Sequence, residues 1–187
     1  MKETLCPAAE VCAQLAARRL PRWDELPDFE LYMDQVLSLM ERYLDGYPGP
    51  DRKGLTASMV NNYVKLGVMP PPVKKKYTRV HLAHLIMICV LKPSVPIDLI
   101  RGLIAGLQQG RSDREAYDWF CGEFESSVRG AAEAVSAEPG LVDVCRSALR
   151  AQAEQTLALR LYGAAVPEPE QGEKKEKREK KSKKGRQ

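Results

Sequence analysis

Much is absent from this chain of 187 residues, and each absence narrows what it can be. Aromatic side chains make up only 6% of it, and there are two histidines. It has no Gly-rich phosphate loop, no H-E-x-x-H, no G-x-S-x-G and no pair of carboxylates set for acid–base work. Without a nucleophile beside a base, an enzyme is not expected. The five cysteines (Cys6, Cys12, Cys89, Cys121 and Cys145) are odd in number and lack C-x-x-C spacing. That argues against a disulfide framework and for a reducing, cytoplasmic setting. The longest apolar stretch, around Leu85 to Leu91, is far short of a membrane span. Glu3 and Glu10 interrupt the run a secretory signal would need. Alternating β-branched runs are scarce while 3.6-residue periodicity recurs, so the expected class is all-α.

What is there is charge, unevenly placed. The net charge of +4 resides in the last twenty residues, where nine Lys/Arg face five Asp/Glu; the body before them is neutral. Within that body, Asp51–Val80 holds seven basic residues against one acidic, whereas Met1–Pro50 holds five against nine. Such polarity suits docking one face on a polyanion while the rest is kept off it.

The basic window lies in the stretch around which the chain is organised, Leu55 to Ile104. Thr56 is placed to cap a short helix, because its hydroxyl accepts from the free N–H groups of the opening turn. Val60, Tyr63 and Val64 form a narrow apolar stripe, leaving Ser58, Asn61, Asn62 and Lys65 on the outward face. Gly67 fits the left-handed position just past the helix end. Pro70, Pro71 and Pro72 forbid continuation, and Lys74, Lys75 and Lys76 follow. Thr78 then caps an apolar helix, RVHLAHLIMICVLK, with Leu82, Leu85, Ile86, Cys89 and Val90 as its spine. His81 and His84, at i and i+3, share a face, but no third ligand is placed and carboxylates near them are few, so neither a metal nor another cofactor is expected. Pro96 opens a further helix with Ile97, Ile100, Leu103, Ile104 and Leu107 inward.

Upstream, Val11, Leu15 and Ala16 are spaced for a short amphipathic helix stopped by Pro21. A longer helix is predicted from the cap Asp28, with Tyr32, Met33, Val36, Leu37, Met40, Tyr43 and Leu44 at i, i+3, i+4, i+7 spacing and Gly46, Pro48 and Pro50 ending it. Downstream, Ser112-Asp113-Arg114-Glu115 is a capping box, and Tyr117, Phe120, Cys121, Phe124 and Val128 form the inward face of the helix it starts. Pro139-Gly140 opens a final helix, Leu141 to Tyr162. The segment EPEQGEKKEKREKKSKKGRQ has no apolar residue to bury and is expected to be disordered.

Polar helix, tight turn, basic loop and apolar helix together follow the layout of a helix-turn-helix DNA reader. The run YVKLGVMPPPVKKKYTRVHLAHLIMI is similar to the MerR-like winged helix-turn-helix: Tyr63 and Gly67 end the recognition helix, Lys75 and Tyr77 belong to a basic wing, and Leu82, Leu85 and Ile88 begin the next helix. Asn61 stands where those proteins carry an arginine. More closely, RWDELPDFELYMDQVLSLM with LTASMVNNYVKLGV and KKKYTRVHLAHLIMICVLK resembles a bacterial family known as domain of unknown function 1836, over roughly residues 20 to 165. The MerR-like resemblance implies a winged core with extra C-terminal helices, and dimerisation through a helix at the position of 141–162. Two polar residues at heptad-like positions there, Gln152 and Thr156, favour instead a helix folded back on its own domain.

The expected organisation is an N-terminal extension (1–26), a winged helix-turn-helix-like domain (27–110), a C-terminal helical extension (111–166) and a Lys/Glu-rich tail (167–187). The expected function is a transcriptional regulator binding double-stranded DNA. Ser58, Asn61, Asn62 and Lys65 would enter the major groove, the two asparagines pairing with adenine edges. Lys74, Lys75, Lys76 and Arg79 would hold phosphates, while Tyr63 and Tyr77 serve as buried joints. The alternative is an all-α protein–protein interaction module without catalytic activity. RNA is disfavoured by the lack of an aromatic stacking platform.

Overall fold

The computed structural model describes residues 7–45, 54–136 and 139–165. In chain order the described helices are α1 (Pro7–Ala16), a single 3-10 turn (Trp23–Glu25), α2 (Met33–Tyr43), α3 (Ala57–Lys65), α4 (Arg79–Leu91), α5 (Ile97–Gln108), α6 (Asp113–Glu133) and α7 (Leu141–Ala165). Among the described residues, extended pairing is limited to two isolated antiparallel bridges, Leu31 with Tyr77 and Val73 with Lys76. The mainly helical class expected from periodicity therefore holds. Cys6, the breakers Gly46, Pro48 and Pro50, and the tail from residue 166 lie outside the described residues.

The core is built around α4. Only three of its thirteen residues (Arg79, His81 and His84) are polar, so it has no outward face to offer, and eight consecutive residues from His81 to Ile88 are buried. It packs against α2, α5 and α6. A helix apolar on every side must be surrounded, and this one is.

Two helices differ from expectation. The helix predicted from Asp28 begins only at Met33: Leu31 is drawn into a bridge, its N–H donating to the Tyr77 carbonyl and its carbonyl accepting from the Tyr77 N–H, both at 2.8 Å. Tyr32 then takes the N-cap position, its N–H satisfied by the Gln35 side chain at 2.9 Å. Tyr32 is exposed, while Val36 and Met40 supply the buried stripe. Periodicity could not reveal this, because a 3.6 pattern runs unbroken through residues that a partner 46 positions away holds extended. In α1, Val11 is 62% exposed and Leu15 also faces solvent. The small residues Ala8, Ala9, Cys12 and Ala16 are the less exposed ones, and they allow α1 and α6 a close approach.

The segment after α1 is tied to α6 by side chains the sequence did not link. The Leu20 N–H donates to Glu125 at 3.0 Å, the Trp23 N–H to Asp118 at 2.8 Å, and the Tyr117 hydroxyl to the Pro21 carbonyl at 2.7 Å. Arg22 forms an ion pair with Glu125. Leu20 and Tyr117 are fully buried beside these bonds. The predicted capping box forms as expected, with Ser112 and Glu115 exchanging hydrogen bonds.

The chain divides into two compact units, one ending at Arg150 and the next starting at Ala151, so the boundary falls inside α7. Asp143 ties the start of that helix, accepting from the Gly140 N–H at 3.1 Å and the Ser136 hydroxyl at 2.9 Å. These bonds hold its carboxyl below the usual value, the Gly140 bond most of all. Beyond them α7 buries little: Leu141, Val142, Val144 and Leu149 are 86%, 69%, 64% and 66% exposed. In the second unit Leu157, Leu159 and Leu161 are exposed as well.

Candidate nucleic-acid interface

Helix α3 is short and depends on its ends. At the start, the Thr56 hydroxyl accepts from the Met59 N–H at 3.3 Å. At the finish, the Gly67 N–H returns to the Val64 carbonyl and the Val68 N–H to the Tyr63 carbonyl, each at 3.0 Å. This pair of bonds is a Schellman closure, and it needs a left-handed residue at Gly67, whose φ is +67°. Arg101 of α5 donates to the Leu66 carbonyl at 3.3 Å, satisfying one more of the free acceptors. Val60 and Tyr63 turn inward and are buried. Ser58, Asn61, Asn62 and Lys65 are all exposed, so the structure brings the four expected residues onto one outward face.

The hairpin that follows is more unusual. The Lys76 N–H donates to the Val73 carbonyl at 2.9 Å, closing a two-residue turn over Lys74 and Lys75. Both have positive φ, +50° and +64°, the pattern of a type I′ turn that normally selects Asn-Gly. A left-handed residue bearing a Cβ costs about 1–2 kcal/mol. Two lysines therefore occupy positions the backbone would give to other residues, and both are exposed at the tip.

The remaining two expected residues are already engaged. Lys76 pairs with Glu30 at 2.7 Å, and that hydrogen bond raises its pKa. Arg79 lies over the Trp23 ring, 5.8 Å from its centroid, with Asp24 4.0 Å away. Among the described residues, the structure thus separates these four basic residues into a tip without ion pairs and a paired base. Tyr63 and Tyr77 are buried, as expected of joints, and the Tyr77 ring meets the edge of His81 at 5.4 Å.

The two histidines of α4 are buried. His81 Nδ1 accepts from the Thr78 N–H at 2.9 Å, and His84 Nδ1 lies 2.8 Å from the Val80 carbonyl. Burial lowers the pKa of both. Among the described residues, no group of three potential metal ligands comes together.

One set of neighbours was not legible in the sequence. The outward face of α3 is one wall of an open cavity of about 670 Å³, lined also by Lys92 and Ile97 from the corner between α4 and α5. The only sequence signal was a lysine ending an apolar helix just before Pro93. Among the described residues no helix is long and apolar enough to cross a membrane.

A family model described as Domain of unknown function (DUF1836) matches residues 21–120, more than half of the 187-residue chain. The chain belongs to that family. The matched span begins at Pro21 and ends at Phe120, and the hydrogen bond from Tyr117 to Pro21 joins its two ends. No curated protein and no solved structure matches the chain.

Proposed function

We propose that this DUF1836 protein is a DNA-binding transcriptional regulator with a MerR-like winged helix-turn-helix core. In this reading α3 enters the major groove and presents Asn61 and Asn62 to adenine edges, with Ser58 and Lys65 flanking them. The Lys74–Lys75 tip holds phosphates, fixing register without reading sequence. The observation that carries the reading is the strained turn: two lysines held at positive φ with no ion pair to any described residue, beside a helix whose outward face is entirely polar. A solvated loop gains nothing from that choice, whereas a phosphate grip does. The paired state of Lys76 and Arg79 makes them supports of the hairpin, with a smaller share in any contact.

Selection of bound fragments from random double-stranded DNA by the purified protein tests the proposal. An enriched motif is expected; its absence, with no retention above an unrelated acidic protein, would overturn it. A palindromic motif would in addition report a dimer. The exposed apolar residues at the start of α7 favour such pairing with a second copy, and they equally support the alternative of an all-α protein–protein interaction module. Salt separates the two readings, because a polyanion complex weakens steeply with salt and an apolar one does not.

A further inference from the structure

The cavity beside α3 has the lining of a small-anion site. Its walls are Ser58, Met59, Asn61, Asn62, Tyr63, Lys65, Lys92 and Ile97, with no acidic residue among them. Neither Lys65 nor Lys92 forms an ion pair with any described residue. They come from separate elements, one from the last turn of α3 and one from the corner after α4. Two lysines lining one concavity that has no acidic residue in its walls leave a field that favours an anion. Tyr63, 3% exposed, contributes to the wall while its hydroxyl is buried. Asn61 and Asn62 offer further donors, and Met59 and Ile97 an apolar wall. A volume of about 670 Å³ is within the range of ligand pockets.

We infer that this cavity binds a small organic anion, an apolar body carrying one phosphate or carboxylate, with Lys65 and Lys92 on the charged group and Met59 and Ile97 on the body. The regulatory consequence rests on the DNA-binding reading proposed above. Ser58, Asn61, Asn62 and Lys65 line the cavity and are also the residues assigned to the major groove. An occupant covers them and neutralises Lys65, so the anion and DNA exclude one another, each weakening the other by the same factor.

The experiment uses the full chain and phenyl phosphate as probe, with neutral benzyl alcohol as comparator, followed by backbone amide shifts without DNA. Phenyl phosphate is expected to move the amides of Asn61, Asn62 and Lys92 in one saturable process, and benzyl alcohol to leave them unmoved at the same concentration. Lys92→Met should weaken binding about tenfold or more, as expected for one charge-assisted hydrogen bond, and Lys92→Arg should restore most of it. Shifts confined to Lys74 and Lys75, or equal binding by Lys92→Met, would overturn the site. With DNA present, saturating phenyl phosphate should lower affinity. If DNA binds equally well to the loaded protein, the site stands and its regulatory role falls. If the protein binds no DNA at all, the DNA-binding reading and the regulatory role fall together, and the shifts still decide the site.

Discussion

The outward face of α3 and the tip of the 73–76 hairpin are both polar and exposed, but they are made in opposite ways. Helix α3 is relaxed, with a threonine cap at one end and a glycine closure at the other, and a polar outer face is what any half-buried helix carries. The hairpin places lysines where the backbone asks for asparagine and glycine. Local rules are broken most often where function opposes stability. The hairpin is therefore the stronger sign of a binding role, although the helix face is the part to which the proposed function assigns discrimination between sequences.

Four expected outcomes sharpen or break this contrast, and the largest concerns the tip. Lys74→Glu with Lys75→Glu should weaken every DNA sequence alike, by on the order of 100-fold at low salt, and reduce the salt slope by about two. Gel-shift titrations across a salt series read both effects. An unchanged slope would remove the tip from the interface.

The helix face should fail selectively. Asn61→Ala or Asn62→Ala should cost about 1–3 kcal/mol at the selected site and little on random DNA. Both side chains are exposed, so stability should move by less than about 0.5 kcal/mol in a urea melt. Unfolding would show that the asparagines hold the fold together and do not read bases.

Relieving the strain separates stability from function. Lys74→Asn with Lys75→Gly should raise stability by about 1–2 kcal/mol, since the turn residues then match the backbone, and should weaken DNA binding. A stabilised variant with full affinity would mean that the lysines have no phosphate to hold.

The smallest effect is on pH dependence. His81 and His84 both have pKa values lowered by burial, so folding favours their neutral forms. Their contribution is complete above the unfolded value of about 6.5 and is lost as pH falls below it. His81 accepts from Thr78, one residue after Tyr77, so acid should loosen the hairpin side first. As pH is lowered below about 6.5, hydrogen-exchange protection factors, which are normalised for the slower intrinsic exchange in acid, should fall at the Leu31 and Tyr77 amides before the Gly67 and Val68 amides. Simultaneous loss would mean that the two regions share one cooperative unit.

Local signals were legible where they act over a few residues. Thr56, Gly67 and the Ser112–Glu115 box each perform the capping their sequence context implies, and α4 is buried as its unbroken apolar run requires. Non-local pairings were not legible. Nothing near Leu31 announces Tyr77 as its partner, and nothing near Pro21 announces Tyr117. The apolar positions of α7 are spaced as in other helices, yet they stay exposed, because periodicity marks which face is apolar and not whether anything covers it. For the candidate site, the α3 residues were readable from the stripe they oppose. The pairing of Lys76 with Glu30, the turn of Arg79 toward Trp23, and the presence of Lys92 across the cavity depend on packing between elements.

The most direct test of the central claim is a salt series of equilibrium affinities for the selected site and for random DNA, with the native protein, Asn61→Ala/Asn62→Ala and Lys74→Ala/Lys75→Ala. The expected result is a crossed pattern. The asparagine variant loses the difference between the two DNAs and keeps the native salt slope, whereas the lysine variant keeps the difference and loses slope. Parallel losses in both variants, or none in either, would contradict the division of reading and gripping between α3 and the hairpin.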